Sequence, residues 1–387
     1  MKENNPNLDY YTYALNKDEA VESSPSTPPS DAPQATQNTP PPPSSNTNEL
    51  AAQREKTARS AFSRIGVAVT VMIVVWLAIN LAVSIFALAI NPDLISSPTF
   101  SIFASTLPLI IIAIPVAYAV MKNLPTATPQ VRPPIGGAKL IVILFMCMGV
   151  MIAGNLISNL ALSFFTAITG HEPLNSLDIV LDAPIWVITL CTVILSPIFE
   201  EILCRGFILR RLLPYGEIPA IVLSSAIFAC IHGNLFQFVY AFGVGAIFAL
   251  VYLRTGRFRY CVILHIIVNA LGSLFSVLFL SQMDPDFAKI ILEGANIAAN
   301  DPAFLEMMLE NIVPLMLMGL YVMTQYAMAF AGILLLILFW KKVKIVRKEN
   351  DLNLSRSLTL GASSVGGVLL IIVAILFTLL NNGFIGA

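Results

Sequence analysis

The sequence predicts an all-α, polytopic membrane bundle preceded by a disordered N-terminal tail, and three observations carry that reading. Of the 387 residues, 57% are hydrophobic and only 12% charged, with a mean hydropathy of +0.79, which excludes an ordinary soluble domain. Apolar runs of about 20 residues, long enough to cross a bilayer, recur along the chain. Basic residues, although they nearly cancel the acidic ones to a net charge of -1, gather in alternate connections between those runs.

The candidate spans lie near 66–90, 101–121, 140–168, 184–209, 217–235, 236–253, 260–282, 312–340 and 358–380, giving about eight or nine transmembrane helices. Arg54, Lys56, Arg59 and Arg64 precede the first, whereas 91–100 carries no base. Lys122, Arg132 and Lys139 follow the second, and 170–184 is again free of Lys and Arg. Arg210 and Arg211 follow the fourth, Arg254, Arg257 and Arg259 the sixth, and Lys341, Lys342, Lys344, Arg347 and Lys348 the eighth. The positive-inside rule then places the N-terminus in the cytoplasm and the C-terminus outside, in a multi-pass protein of the cell membrane.

Residues 1–60 read as a disordered, cytoplasmic Pro/Ser-rich tail, with Pro40–Pro43 in succession and little apolar content to bury. The tail lacks the charged and apolar regions of a signal peptide and is expected to stay on the side where it is made; Tyr10, Tyr11 and Tyr13 are read as solvated. Residues 61–178 form the N-terminal transmembrane helices, 179–282 a central core, 283–311 an acidic external loop and 312–387 the C-terminal transmembrane helices. No internal repeat supports a transporter built from inverted halves. The cysteines (Cys147, Cys191, Cys204, Cys230 and Cys261) all sit in apolar runs without a C-x-x-C spacing and read as small buried residues.

Charge within the spans needs a reason, because an ionisable group at membrane depth is expensive and usually pairs or works. Glu200 and Glu201 stand side by side in the fourth apolar run. Glu201 and Arg205 are four apart, so they neighbour each other on a helix and suit an ion pair, while Glu200 is rotated about 100° away and is the freer carboxylate. Two of the three histidines in the chain also lie in apolar spans. Glu200 is sixteen residues before Gly216 and His232 sixteen after, so a helical hairpin turning at Leu213–Glu217 sets them at similar depth. His265 and Asn269, four apart, present polar tips on one face of the seventh run. One histidine in an apolar span is ordinarily a satisfied core residue, but this whole set on neighbouring helices is not so easily dismissed. By contrast, Asn155 and Asn159 read as interhelical hydrogen bonding and His171 as a surface residue.

Glu200-Glu201-x-x-x-Arg205, Phe228-x-x-x-His232 and His265-x-x-x-Asn269, in this order on successive apolar helices, resemble the three motifs of the CPBP family of CAAX prenyl protease and bacteriocin-processing proteins, also called the Abi family. The resemblance covers roughly residues 180–280, and no motif position departs from the pattern. It implies an intramembrane endopeptidase in which Glu200 and His232 activate a water while His265 and Asn269 stabilise the oxyanion, with Glu201 and Arg205 in support. It also implies an alternative, a non-enzymatic membrane scaffold or bacteriocin self-immunity protein. The expected partners are a membrane-bound protein or peptide substrate and the lipid bilayer, with no nucleic acid. Glutamate and zinc mechanisms have both been described for this family. Glu200, His232 and His265 would form a zinc set, but the familiar H-E-x-x-H helix is missing, so a metal-free glutamate mechanism is favoured and no cofactor is expected.

Overall fold

The computed structural model describes residues 45–174, 183–293, 302–348 and 350–384, and among them it is all helical, with no strand. The tail through residue 44, with its tyrosines, and the loop segment 294–301 lie outside the described residues. Helix α1 spans Ser45–Ile90 and so begins well before residue 60, where the tail was expected to end. The stretch from Glu49 to Arg59 is rich in Ala, Glu, Gln, Lys and Arg, which are strong helix formers. Tertiary contacts hold it: Ala58 and Ala61 are buried, Arg54 donates to the Pro214 carbonyl (3.1 Å), and Glu55 pairs with Arg356.

Helix α2 (Pro98–Met121) is capped by the Ser97 hydroxyl and continues past Pro108 and Pro115 by widening into π turns at Leu109–Ala113. Helix α3 spans Gly137–Thr169, α4 Ile185–Tyr215, α5 Glu217–Ile231, α6 Leu235–Thr255 and α7 Phe258–Leu280. After α7 come α8 (Pro285–Glu293), α9 (Pro302–Glu310), α10 (Ile312–Lys342), α11 (Leu354–Ala362) and α12 (Val365–Asn381).

Seven of these are long and apolar enough to cross a membrane, and eight if α11 and α12, which meet at 79°, count as one broken span. Two of the nine expected spans therefore change. The last is this bent pair, and α5 has 15 residues, about 22 Å, which falls short of a bilayer core of about 30 Å. It stops at Gly233, whose φ of +58° leaves the helical region and suits a residue without Cβ. Asn234 then caps α6, its Oδ1 accepting from Phe236 N at 2.8 Å. The acidic connection at 283–311 also differs from a solvated loop, since its described parts are the helices α8 and α9. Phe287 is fully buried there and stacks near Phe304, and Asn311 Oδ1 accepts from Asp284 N at 2.7 Å.

Helix α3 packs against both α6 and α10, α5 against α6, and α12 against α1. The α3–α10 crossing is close because Gly332 presents bare backbone to Phe145, where a Cβ would collide with the carbonyl. The connections that carry basic residues meet at one end of the bundle. There Arg211 Nε donates to the Met121 carbonyl (2.7 Å), Arg257 Nε to the Arg132 carbonyl (2.9 Å), and Glu217 joins Arg254 and the Val346 N–H.

Candidate active site

The polar constellation is built on α4, α5 and α7. Helix α4 is regular at Ser196–Glu201 around the two glutamates, and on either side of that turn it widens into π turns, at Ile188–Leu195 and Ile202–Leu209. Helix α7 widens likewise at Ala270–Leu274, directly after Asn269. Wide turns inside otherwise regular helices often mark functional sites, because they re-aim side chains that a regular helix would fix elsewhere.

Glu201 is fully buried, and Arg205 donates Nη1–H to its Oε1 at 2.9 Å, as the four-residue spacing predicts. The other end of the guanidinium donates to the Gly245 carbonyl (2.7 Å), and its carbon lies over the Phe228 and Phe248 rings at 4.8 and 5.5 Å. Gly245 allows this approach: a Cβ there would sit 3.0 Å from Phe228 Cδ1 and 3.3 Å from Arg205 Nη2.

Sequence spacing alone missed a second partner of Glu201. His265 on α7, 4% exposed, places Nδ1 3.0 Å from the same Oε1, and its Nε2 lies 3.6 Å from Glu200 Oε2. One imidazole thus lies beside both glutamates, a shared neighbour that the rotation of about 100° alone does not suggest. Because a carboxylate paired with arginine accepts, His265 carries its proton on Nδ1. His232, at the end of α5, lies 2.7 Å through Nδ1 from the Phe228 carbonyl, which can only accept, so its Nδ1 also holds a proton. Its Nε2 then faces Glu200 Oε2 at 4.0 Å. Glu200 is therefore bracketed by the Nε2 atoms of two imidazoles, each oriented from behind through Nδ1.

Asn269 donates one amide N–H to the Thr192 carbonyl at 3.0 Å, which fixes the side chain and leaves its second N–H for another acceptor. Thr192 lies in the widened part of α4 and carries no sequence signal for this role. Asn155 and Asn159 bond to each other within α3 at 2.6 Å, so the expected interhelical bond is an intrahelical one. His171 is exposed and stacks beside Phe384, away from this cluster.

Glu200, His232, His265 and Asn269 line a cavity of about 440 Å³ that extends past Asn155, Gln237 and Gln325 to Leu156 and Tyr326. Leu156 and Tyr326 are more than half exposed, so the cavity reaches the flank of the bundle between α3 and α10. Behind them, Glu200 and His232 also line a cavity of about 60 Å³ against Met72, Ile73 and Trp76 of α1. That volume is enough for a water or two, each needing about 30 Å³.

The turn that carries His232 is secured from the far end of the chain. Asn382 is fully buried and donates to the Gly233 carbonyl (2.9 Å), which Asn381 also reaches (3.1 Å), while Asn382 Oδ1 accepts from Leu235 N at 3.3 Å. Non-helical backbone at membrane depth persists only where protein satisfies it, and here two asparagines at the C-terminal end of α12 do so. They lie outside the three motifs, and no local pattern marks them.

Zinc, were it to bind, would draw on Glu200, His232 and His265, but among the described residues no group of three His, Cys, Asp or Glu side chains stands at metal-holding geometry. The donor set as arranged does not fit the ion.

Residues 182–271 match the family described as Type II CAAX prenyl endopeptidase Rce1-like. No curated protein and no solved structure matches the chain. The matched stretch holds all three motifs and the whole Glu200 cluster, and so this membrane protein carries an Rce1-like type II CAAX prenyl endopeptidase domain of the CPBP/Abi family.

Proposed function

We propose that this protein is an intramembrane endopeptidase that hydrolyses a peptide bond of a membrane-associated protein or peptide, with residues 179–282 as its catalytic core. The observation that carries this is the placement of Glu200 Oε2 between His232 Nε2 (4.0 Å) and His265 Nε2 (3.6 Å), on the wall of a cavity that reaches the lipid-facing flank.

A separation of 4.0 Å is too long for a direct hydrogen bond but suits one water touching both atoms. Glu200 takes a proton from that water as its oxygen attacks the scissile carbonyl carbon, while His232, held by the Phe228 carbonyl, keeps the nucleophile aligned. The second N–H of Asn269 donates to the developing oxyanion, and His265 is the second group placed to stabilise that charge. Glu201, anchored by Arg205, holds the opposite edge of that imidazole. Glu200 then delivers its proton to the amine nitrogen as the C–N bond breaks, leaving a carboxylic acid and a free amine. The carboxylate serves first as base and then as acid, which is the role of a general acid–base group. Within this reading the N-terminus lies in the cytoplasm, which the gathering of Lys/Arg-bearing connections at one end of the bundle supports through the positive-inside rule.

The test is cleavage of membrane-anchored peptides, prenylated and unprenylated, by the purified full-length protein in proteoliposomes. Glu200→Gln is expected to lower kcat by about 10²–10⁴-fold with thermal stability retained. Turnover by Glu200→Gln at the wild-type rate would remove the carboxylate from the chemistry and return the site to a binding role. Metal analysis of the same preparation and activity after exhaustive chelation test the mechanism separately: stoichiometric zinc, with activity lost and then restored by zinc, would overturn the metal-free scheme.

A further inference from the structure

The basic end of the bundle is not evenly neutralised. Arg54 lies 3.8 Å from Asp351, Arg254 is paired with Glu217 at 2.5 Å, and Arg356 with Glu55 at 2.5 Å. Between α2, α4 and the α6–α7 connection, in contrast, Lys122, Arg210 and Arg211 line a cavity of about 490 Å³ whose lining includes no carboxylate. Arg210 donates to the Thr128 hydroxyl (2.6 Å), and buried Arg211 spends its donors on the carbonyls of Met121, Phe207 and Lys122. All of these acceptors are neutral, and among the described residues the cavity lining sets no carboxylate against the three positive charges.

The cavity lining is also divided between cationic and apolar residues. Its cationic rim passes into an apolar flank where Gly206 and Phe207 of α4 meet Tyr118 of α2. A Cβ at Gly206 would find no neighbour closer than 4.0 Å, so the groove is open at that point, and Tyr118 is 42% exposed. A cationic rim continuous with an apolar slot fits an amphiphile with an anionic head. Guanidinium groups favour phosphate oxygens, and basic pockets between transmembrane helices commonly take phospholipid headgroups.

We propose that this groove is a binding site for one anionic phospholipid, with its phosphate between Arg210 and Lys122 and an acyl chain along Gly206 and Phe207. The site is separate from the Glu200 cavity, and it stands or falls independently of the proteolytic reading.

Thermal unfolding of the full-length protein in detergent micelles tests it, with phosphatidylglycerol, phosphatidylcholine and inorganic phosphate added in separate arms. Phosphatidylglycerol is expected to raise the Tm by about 3 °C, and phosphatidylcholine and phosphate to do much less. The double variant Lys122→Gln/Arg210→Gln should lose roughly half of that shift or more, while Lys341→Gln, a base at the same end outside the cavity, keeps it. Should the double variant fold poorly, Lys122→Gln alone carries the test, because its side chain is exposed and makes no hydrogen bond to the protein among the described residues. An equal shift with phosphatidylcholine, or an unreduced shift in the variants, would overturn the site. Phosphate alone matching phosphatidylglycerol would mark a free-anion site and overturn the lipid assignment.

Discussion

Helices α4 and α10 are each 31 residues long and similarly apolar, yet 44% of the most apolar window of α4 is buried in the protein against 11% for α10. Hydropathy reports that both leave water; it does not say which of them leaves it for lipid and which for protein. The charges do. Helix α4 carries Glu200, Glu201 and Arg205 at membrane depth, where α10 carries only uncharged side chains until Lys341. A helix can hold ions there only if neighbouring helices supply their partners, and α4 receives them from α5, α6 and α7. Its π turns flank the two glutamates on either side, and α10 is a regular helix over Ile312–Phe339.

The most severe way to break this contrast is to remove a partner inside α4 itself. Arg205→Ala leaves Glu201 fully buried with only His265 beside it, and breaking one side of a buried pair costs about 3–5 kcal/mol. The measurement is thermal or denaturant unfolding in micelles, alongside Glu200→Gln, whose effect should fall on kcat and not on stability. A loss below about 1 kcal/mol for Arg205→Ala would mean that Glu201 is neutral or reached by water, and the picture of a protein-solvated ion would fail.

A smaller effect tests whether the C-terminal end serves the core. Asn382→Ala strips a donor from the Gly233 carbonyl and an acceptor from Leu235 N, a loss of about 1–3 kcal/mol in stability. If these bonds position His232, kcat should fall while KM stays near the wild-type value, because the lesion shifts an orienting group and leaves the peptide-binding walls intact. Parallel changes in kcat and KM, or none beyond the stability loss, would reduce Asn382 to a structural role.

Much of this was legible in the residues. The helical membrane fold followed from composition and run length, and the Glu201–Arg205 pair from a four-residue spacing. The sixteen-residue symmetry about Gly216 anticipated the approach of Glu200 and His232, now 4.0 Å apart. What stayed hidden depends on side-chain direction between helices. His265 bridges the two glutamates because α7 turns one imidazole edge toward each, and nothing in a one-dimensional pattern encodes that. The early end of α5 was masked by continuous hydropathy: Gly233 and Asn234 look like a brief polar interruption, yet one leaves the helical region and the other caps the next helix. The start of α1 was missed for the opposite reason, since a charged Ala-rich stretch reads as solvated until its contacts with Pro214 and Arg356 are seen.

The mildest prediction tests the lipid-facing side. Leu338 on α10 is 68% exposed and Leu264 on α7 only 1%, although both are leucines in apolar spans. Leu264→Ala should cost about 2–5 kcal/mol, because packed neighbours lose contact with a side chain that nothing replaces. Leu338→Ala should change stability by no more than about 0.5 kcal/mol, since lipid tails close over the missing methyl groups and little protein contact is lost. Unfolding measured in one micelle composition compares the two directly. A cost at Leu338 approaching that at Leu264 would show that the outer face of α10 packs against protein, and its low burial would then belong to the isolated chain rather than to the molecule in its membrane.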